Sequence, residues 1–241
     1  MKLDDVKKLQ QKKYREEFGH FLVEGEHLVL ELQKAAEKIP SLKHSELYVT
    51  DAYADWPSDL RKNLITEKQM AQISDTKTPQ GILAVVPFLP TNQNTTSNER
   101  VIYLYEVQDP GNLGTIVRTL AWFGNFRLVL SPNSVDPYNP KVVRSSMGAI
   151  FHLPMELDIP LEQIKQRYNK IASLDMRGDA LSSADFKHYE CYLFGNEARG
   201  IPHELLDNTH IHAFSIQGSG AIDSLNLASA VNMCAYELVR K

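Results

Sequence analysis

The chain has 241 residues, 43% of them hydrophobic, and a formal net charge of −4. That is enough apolar material for one large domain or two small ones with real cores, and the acidic balance argues against a protein that coats nucleic acid by charge alone. No stretch approaches the apolar span of a membrane helix, Met1-Lys2-Leu3-Asp4-Asp5 lacks a secretory signal, and Cys191 and Cys234, with no Cys-x-x-Cys pair, read as buried free thiols of a reducing cytoplasm.

Residues 3–18 read as a helix. Its Lys7, Lys8, Lys12, Lys13 and Arg15 form a basic cluster, either a solvated face or a contact for an anionic partner. Phe21-Leu22-Val23 is a short strand, and residues 26–38 are helical with Leu28, Leu32 and Ala35 on one stripe. Further strands are expected at 46–49 and 82–86, giving a small α/β domain over residues 1–88. Residues 91–99 hold no apolar side chain and follow Pro87 and Pro90. Such a stretch cannot offset its own ordering entropy, so 89–99 reads as a linker. From residue 100 to 241 strands alternate with helices: strands at 101–105, 127–130, 170–174, 191–194 and 211–216, helices at 112–123, 140–147, 161–168 and 225–239. That alternation predicts a mostly parallel sheet. In the last helix Ala228, Val231, Ala235 and Leu238 share a stripe, fit for the core or a subunit interface.

Three glycine- and Asx-rich loops follow apolar strands: Gln108-Asp109-Pro110-Gly111-Asn112-Leu113-Gly114, Gly195-Asn196-Glu197-Ala198-Arg199-Gly200, and Gln217 through Asn226. In an open α/β sheet ligands bind where loops leave the carboxyl ends of strands. Asn112 and Ser224 suit helix caps as well as ligand contacts. Arg118 lies off the apolar stripe, with Gly114 and Trp122 four residues to either side, and can reach past the strand ends toward an anion. Asn226 has poor helix propensity in the first turn of the last helix. Gly218-Ser219-Gly220 lacks the third glycine and the following strand of a dinucleotide fingerprint, and no phosphate-binding Gly-Lys-Ser/Thr occurs. His210 and His212 share a strand face without a third ligand, so no metal site is expected. Gly-x-Ser-x-Gly is absent, which argues against a serine hydrolase.

Taken together, residues 101–238 resemble the SpoU (TrmH-type) RNA ribose 2′-O-methyltransferases of the SPOUT superfamily. The resemblance rests on Asp109-Pro110-Gly111-Asn112-Leu113-Gly114 followed by Arg118, on Leu193 through Ile201, on Gly220 through Ala228, and on Val142 through Ala149 between them. Tyr14-Arg15, Phe21 through Gly25 and Thr78 through Ile82 resemble the small RNA-binding domain of many members, similar to a ribosomal-protein fold of the L30 type. Gln217-Gly218 and Ala228 depart from the family's frequent Pro-Met and Ser.

The resemblance implies a trefoil-knotted C-terminal domain and S-adenosylmethionine as methyl donor, held near Gly195, Ile216 and Leu225. It implies methylation of a ribose 2′-hydroxyl in RNA, ribosomal ahead of transfer RNA, by a cytoplasmic homodimer joined through the C-terminal domain. Arg118, Asn112, Glu197, Ser224 and Asn226 carry over as catalytic residues. A guanidinium holds its proton far above neutral pH, so Arg118 is expected to orient a phosphate and polarise the hydroxyl, with Glu197 pairing to it. Lys12, Lys13 and Arg15 are expected to bind RNA. The competing readings are an RNA-binding member without catalysis and a small-molecule nucleotide enzyme on an ordinary doubly wound sheet.

Overall fold

The computed structural model describes residues 1–90, 99–206, 211–222 and 224–240. They form two compact units, Met1–Pro90 with Asp136–His152, and Thr91–Val135 with Leu153–Lys241. Most of the expected linker, together with His210 and Asp223, lies outside the described residues.

The first unit begins with α1 (Leu3–Lys8) and α2 (Lys12–Phe18), two helices where one is expected. The break falls at Leu9, which is buried and whose carbonyl accepts a bond from the Arg15 guanidinium (2.8 Å). Gln10 turns its amide onto the carbonyls of Ile73 (3.2 Å) and Ser74 (2.9 Å). There follow β1 (His20–Glu24), α3 (Glu26–Ala36), β2 (Glu46–Val49), β3 (Arg61–Leu64), α4 (Glu67–Ile73) and β4 (Ile82–Pro87). The sheet order is β1-β4-β2-β3, with β1 and β2 antiparallel to the central β4, and β3 parallel to β2 at the edge. Sequence reading misses β3 because Arg-Lys-Asn-Leu has no alternation to detect. It also misses α4, whose signal was present: Thr66 and Gln69 form a reciprocal capping box ahead of buried Met70 and Ile73.

The second unit holds β5 (Arg100–Leu104), α5 (Pro110–Phe123) and β6 (Phe126–Leu130). The chain then contributes α6 (Pro140–Ser146) to the first unit and returns as β7 (Met155–Glu156). It continues as α7 (Leu161–Arg167), β8 (Ile171–Ala180), β9 (Cys191–Phe194), α8 (His203–Leu206), β10 (Ile211–Ser215) and α9 (Leu227–Val239). The six strands lie in the order β10-β8-β9-β5-β6-β7 and every pairing is parallel. The four buried residues of β9 and five of β6 fit strands covered on both faces. The buried Arg127 within β6 pairs with Glu99 (2.9 Å) and Glu156 (3.6 Å). The expected stripe of α9, Ala228, Val231, Ala235 and Leu238, is buried within the unit.

Because the strands run parallel, the loops after β5, β6, β9 and β10 all leave the same edge of the sheet. Cys191 and Cys234 are free and buried, and burial pushes both thiols up. Since the thiolate is the reacting species, neither should alkylate with iodoacetamide at pH 8 in the native protein, and both should once urea unfolds it. Mass spectrometry of the two samples checks this.

Candidate active site

The geometry starts from a helix cap. Asp109 accepts from the Asn112 backbone N–H (2.7 Å), and Pro110 occupies the first position of α5, where its missing N–H costs nothing. Sequence reading offered Asn112 as that cap. With Asp109 in the role, the Asn112 carboxamide is free for long-range work. Its Nδ2 donates to Glu197 Oε1 (3.2 Å), and its Oδ1 accepts from Asn226 Nδ2 (2.8 Å). Asn226 Oδ1 in turn accepts from the Ser229 N–H (3.3 Å) as the N-cap of α9. Asn226 is therefore the cap itself, which explains a poor helix former there, and Ser224 lies exposed in the preceding loop. One asparagine thus joins loops 85 and 114 residues away in the chain.

Glu197 also accepts from the backbone N–H groups of Gln108 (3.2 Å) and Asp109 (3.2 Å). Three donors on one carboxylate fix the loop after β9 to the entrance of α5. This corrects the expected Glu197–Arg118 pair. Arg118 is exposed on α5 and makes no hydrogen bond or ion pair among the described residues.

The loop after β9 is folded by Asn196, whose Oδ1 accepts from Ala198 N (3.0 Å) and Arg199 N (3.1 Å). Its Nδ2 donates to the Glu106 carbonyl (2.7 Å), and its backbone exchanges bonds with Gly200. Arg199 pairs with the Glu106 carboxylate (2.7 Å). Gln108 Nε2 donates to the carbonyls of Glu106 (3.0 Å) and Asn133 (2.7 Å). Asn196, Glu106 and Gln108 are organising residues that sequence reading did not single out. The positive φ of Glu106 (49°) gives no signal in the sequence, whereas that of Asn133 (64°) falls on a residue type that tolerates it.

Gly195 is half-buried, and a Cβ there would lie 2.5 Å from the Gly200 carbonyl carbon, so backbone passes where a side chain would stand. Ile216 is half-buried and Leu225 exposed. Among the described residues 217–222 make no backbone–backbone hydrogen bond, and Ile222 is 73% exposed. The Ala221 N–H donates to Ser219 Oγ (3.4 Å); amides and carbonyls without a backbone partner beside uncovered apolar side chains suit a ligand with a polar chain and a flat aromatic base, such as S-adenosylmethionine. Among the described residues no group of acids, histidines and cysteines could hold a metal, and no helix is long and apolar enough to cross a membrane.

In the first unit Lys12 and Lys13 are exposed, Lys12 lying 3.6 Å from Glu16. Arg15, expected beside them on an RNA-facing surface, is 2% exposed. Its Nε and Nη2 both reach Asp136 Oδ2 (2.8 and 2.6 Å). An arginine that folds back on a carboxylate and on the Leu9 carbonyl holds the unit together and offers nothing to a ligand. Removing one member of a buried pair strands the other, so Arg15→Ala should lose about 3–5 kcal/mol of stability. Urea unfolding of that variant measures it.

A six-stranded parallel sheet whose carboxyl edge carries three loops locked together by Asn112 and Glu197 defines an α/β domain with a candidate ligand site at that edge, in a chain whose first unit has its own sheet. Residues 99–236 match the SpoU rRNA methylase family and residues 2–84 the MRM3-like substrate binding domain. The chain belongs to the SpoU rRNA methylase family. It is 33% identical to the 23S rRNA (guanosine(2553)-2′-O)-methyltransferase RlmP of Bacillus subtilis, over 98% of this chain and 95% of that one. Its fold resembles an AdoMet-bound rRNA methyltransferase of Sinorhizobium meliloti, with TM-score 0.82, 26% identity and 99% and 94% of the two chains covered. It also resembles the SpoU methyltransferase AviRb of Streptomyces viridochromogenes in fold, with TM-score 0.81 at 22% identity, covering 99% and 96%.

Proposed function

We propose that this protein transfers a methyl group from S-adenosylmethionine to a ribose 2′-hydroxyl of ribosomal RNA. The observation that carries the reading is the Glu197–Asn112–Asn226 chain of hydrogen bonds, which ties the three motif loops into one constellation. Residues 1–88 hold the RNA, and residues 100–241 carry the transfer.

When bound, the cofactor supplies an electrophilic methyl carbon on a sulfonium. The chain's backbone at Gly195, Ile216 and Leu225 receives it. There it would supply the methyl group to a ribose 2′-oxygen, the sulfur leaving as a neutral thioether and the hydroxyl proton passing to solvent. Arg118, exposed and uncommitted, orients the adjoining phosphate and draws charge from the attacking oxygen. Asn112 and Asn226 hold the ribose side of the site in register, Glu197 braces them, and Ser224 contributes a hydroxyl from the loop. Holding reactants in line accounts for roughly 7–11 kcal/mol of barrier in favourable cases.

A knotted path for the C-terminal segment, a homodimer and residence in the cytoplasm, where ribosomes are, belong to the same reading. Exposed aromatic side chains on α5 and α9 support the second of these. Trp122 on α5 is 84% exposed, Tyr236 on α9 is 56% exposed, and Met233 on α9 is exposed as well. A subunit interface is the natural cover for such side chains.

Incubation of the pure protein with methyl-labelled S-adenosylmethionine and ribosomal RNA from a strain lacking it tests the activity. The expected result is label on a ribose 2′-oxygen, first sought at the guanosine that names the Bacillus relative. Label on a base, or none, would sink the proposal.

A further inference from the structure

Helices α1 and α2 meet around one aromatic ring. Lys8 Nζ lies 5.8 Å and Lys13 Nζ 5.6 Å from the centroid of Tyr14. Phe18, one turn further along α2, stacks with the ring at 6.0 Å and 28°, and itself packs on the core of the unit. Tyr14 is half-buried, so the ring is anchored yet keeps an accessible part. Lys13 has no acidic partner among the described residues, while Lys8 is shared with Asp5 (2.8 Å). Lys13 is already assigned to RNA binding, but Tyr14 and Lys8 have no part in the proposed transfer. An anchored π surface with ammonium groups held over it on flexible, displaceable stems matches what recognises unpaired nucleotides. The base takes the ring face, and the lysines swing to the flanking phosphates. The double helix offers no such base, so the cluster would read single-stranded RNA.

We propose that Tyr14, with Lys8 and Lys13, is a stacking platform for an unpaired nucleobase of the RNA substrate; this rests on the RNA-methyltransferase reading above. The full chain is titrated by fluorescence anisotropy into a labelled single-stranded oligouridylate and into an RNA duplex of equal length. Loss of one stacked base corresponds to about a tenfold weaker complex. Tyr14→Ala should therefore weaken the single-stranded complex about tenfold and leave the duplex affinity unchanged, while Tyr14→Phe binds as the unaltered chain does. In methyl transfer, Tyr14→Ala should raise KM for RNA and spare kcat, the pattern of lost uniform binding. Single-stranded affinity within twofold of normal in Tyr14→Ala, or an equal loss on both RNAs, overturns the proposal. Photo-crosslinking of the unaltered chain to a 5-iodouridine oligonucleotide gives a readout free of folding effects. An adduct on Tyr14 supports the platform, and adducts found only elsewhere refute it. If the unaltered chain methylates no RNA, the underlying reading fails; if it methylates while Tyr14 proves irrelevant, only the platform fails.

Discussion

Arg118→Ala is expected to lower methyl transfer about 10²–10³-fold, the usual effect of deleting one oriented donor at a developing charge. The same variant should fold normally. Arg118 is exposed and contributes no hydrogen bond or ion pair among the described residues, and surface changes of that kind stay within about 0.5 kcal/mol. Cofactor affinity by calorimetry should also be unchanged, because the cofactor groups are assigned to other loops. Arg118→Lys restores the charge but not the planar fork, so it should recover only part of the rate. Single-turnover transfer to ribosomal RNA measures the rates of both variants, and turnover near that of the unaltered chain in Arg118→Ala would remove this residue from the chemistry.

The second large effect is expected at Gly195. An added methyl group would sit 2.5 Å from the Gly200 carbonyl carbon, 2.6 Å from its Cα and 2.7 Å from the Ile201 nitrogen. All three are backbone atoms, so no side chain can swing aside. The loop from 195 to 201 must shift, and it carries Asn196 and Glu197 with it. Forcing a methyl into a filled space costs about 1–3 kcal/mol, and the displaced loop should bind S-adenosylmethionine at least tenfold more weakly. RNA affinity should survive, since it is assigned to the other unit. Calorimetry with the cofactor beside urea unfolding separates the two effects. Full cofactor affinity in Gly195→Ala would place the cofactor away from this loop.

Part of the site was legible in the chain because its residue types are uncommon where they stand. Asn112, Glu197 and Asn226 sit in glycine-rich turns after buried strands, and the structure brings them together. Their connections were less accessible. Asn112 and Ser224 both read as helix caps, yet Asp109 and Asn226 perform that task, since several Asx and Ser residues near a helix start compete for one geometry. Arg15 read as part of a cationic surface because charge runs are normally solvated. Its partner Asp136 lies 121 residues away, beyond any local pattern. The edge strand β3 is invisible in the chain because an exposed edge needs no alternation, while α4 carries a legible signal in its capping box.

The amino-acid order alone set the alternation of apolar strands and amphipathic helices, and with it the parallel sheet of the second unit. It also set the three loops and the family they resemble. Periodicity and turn chemistry act between near neighbours, so a string of residues displays them directly. The tertiary structure decided which donor meets which acceptor: Glu197 with Asn112 instead of Arg118, Arg15 with Asp136 instead of a ligand, and residues 136–152 with the first unit. Those choices depend on which distant groups lose water together, and that is fixed only when strands far apart in the chain come to lie side by side in one sheet.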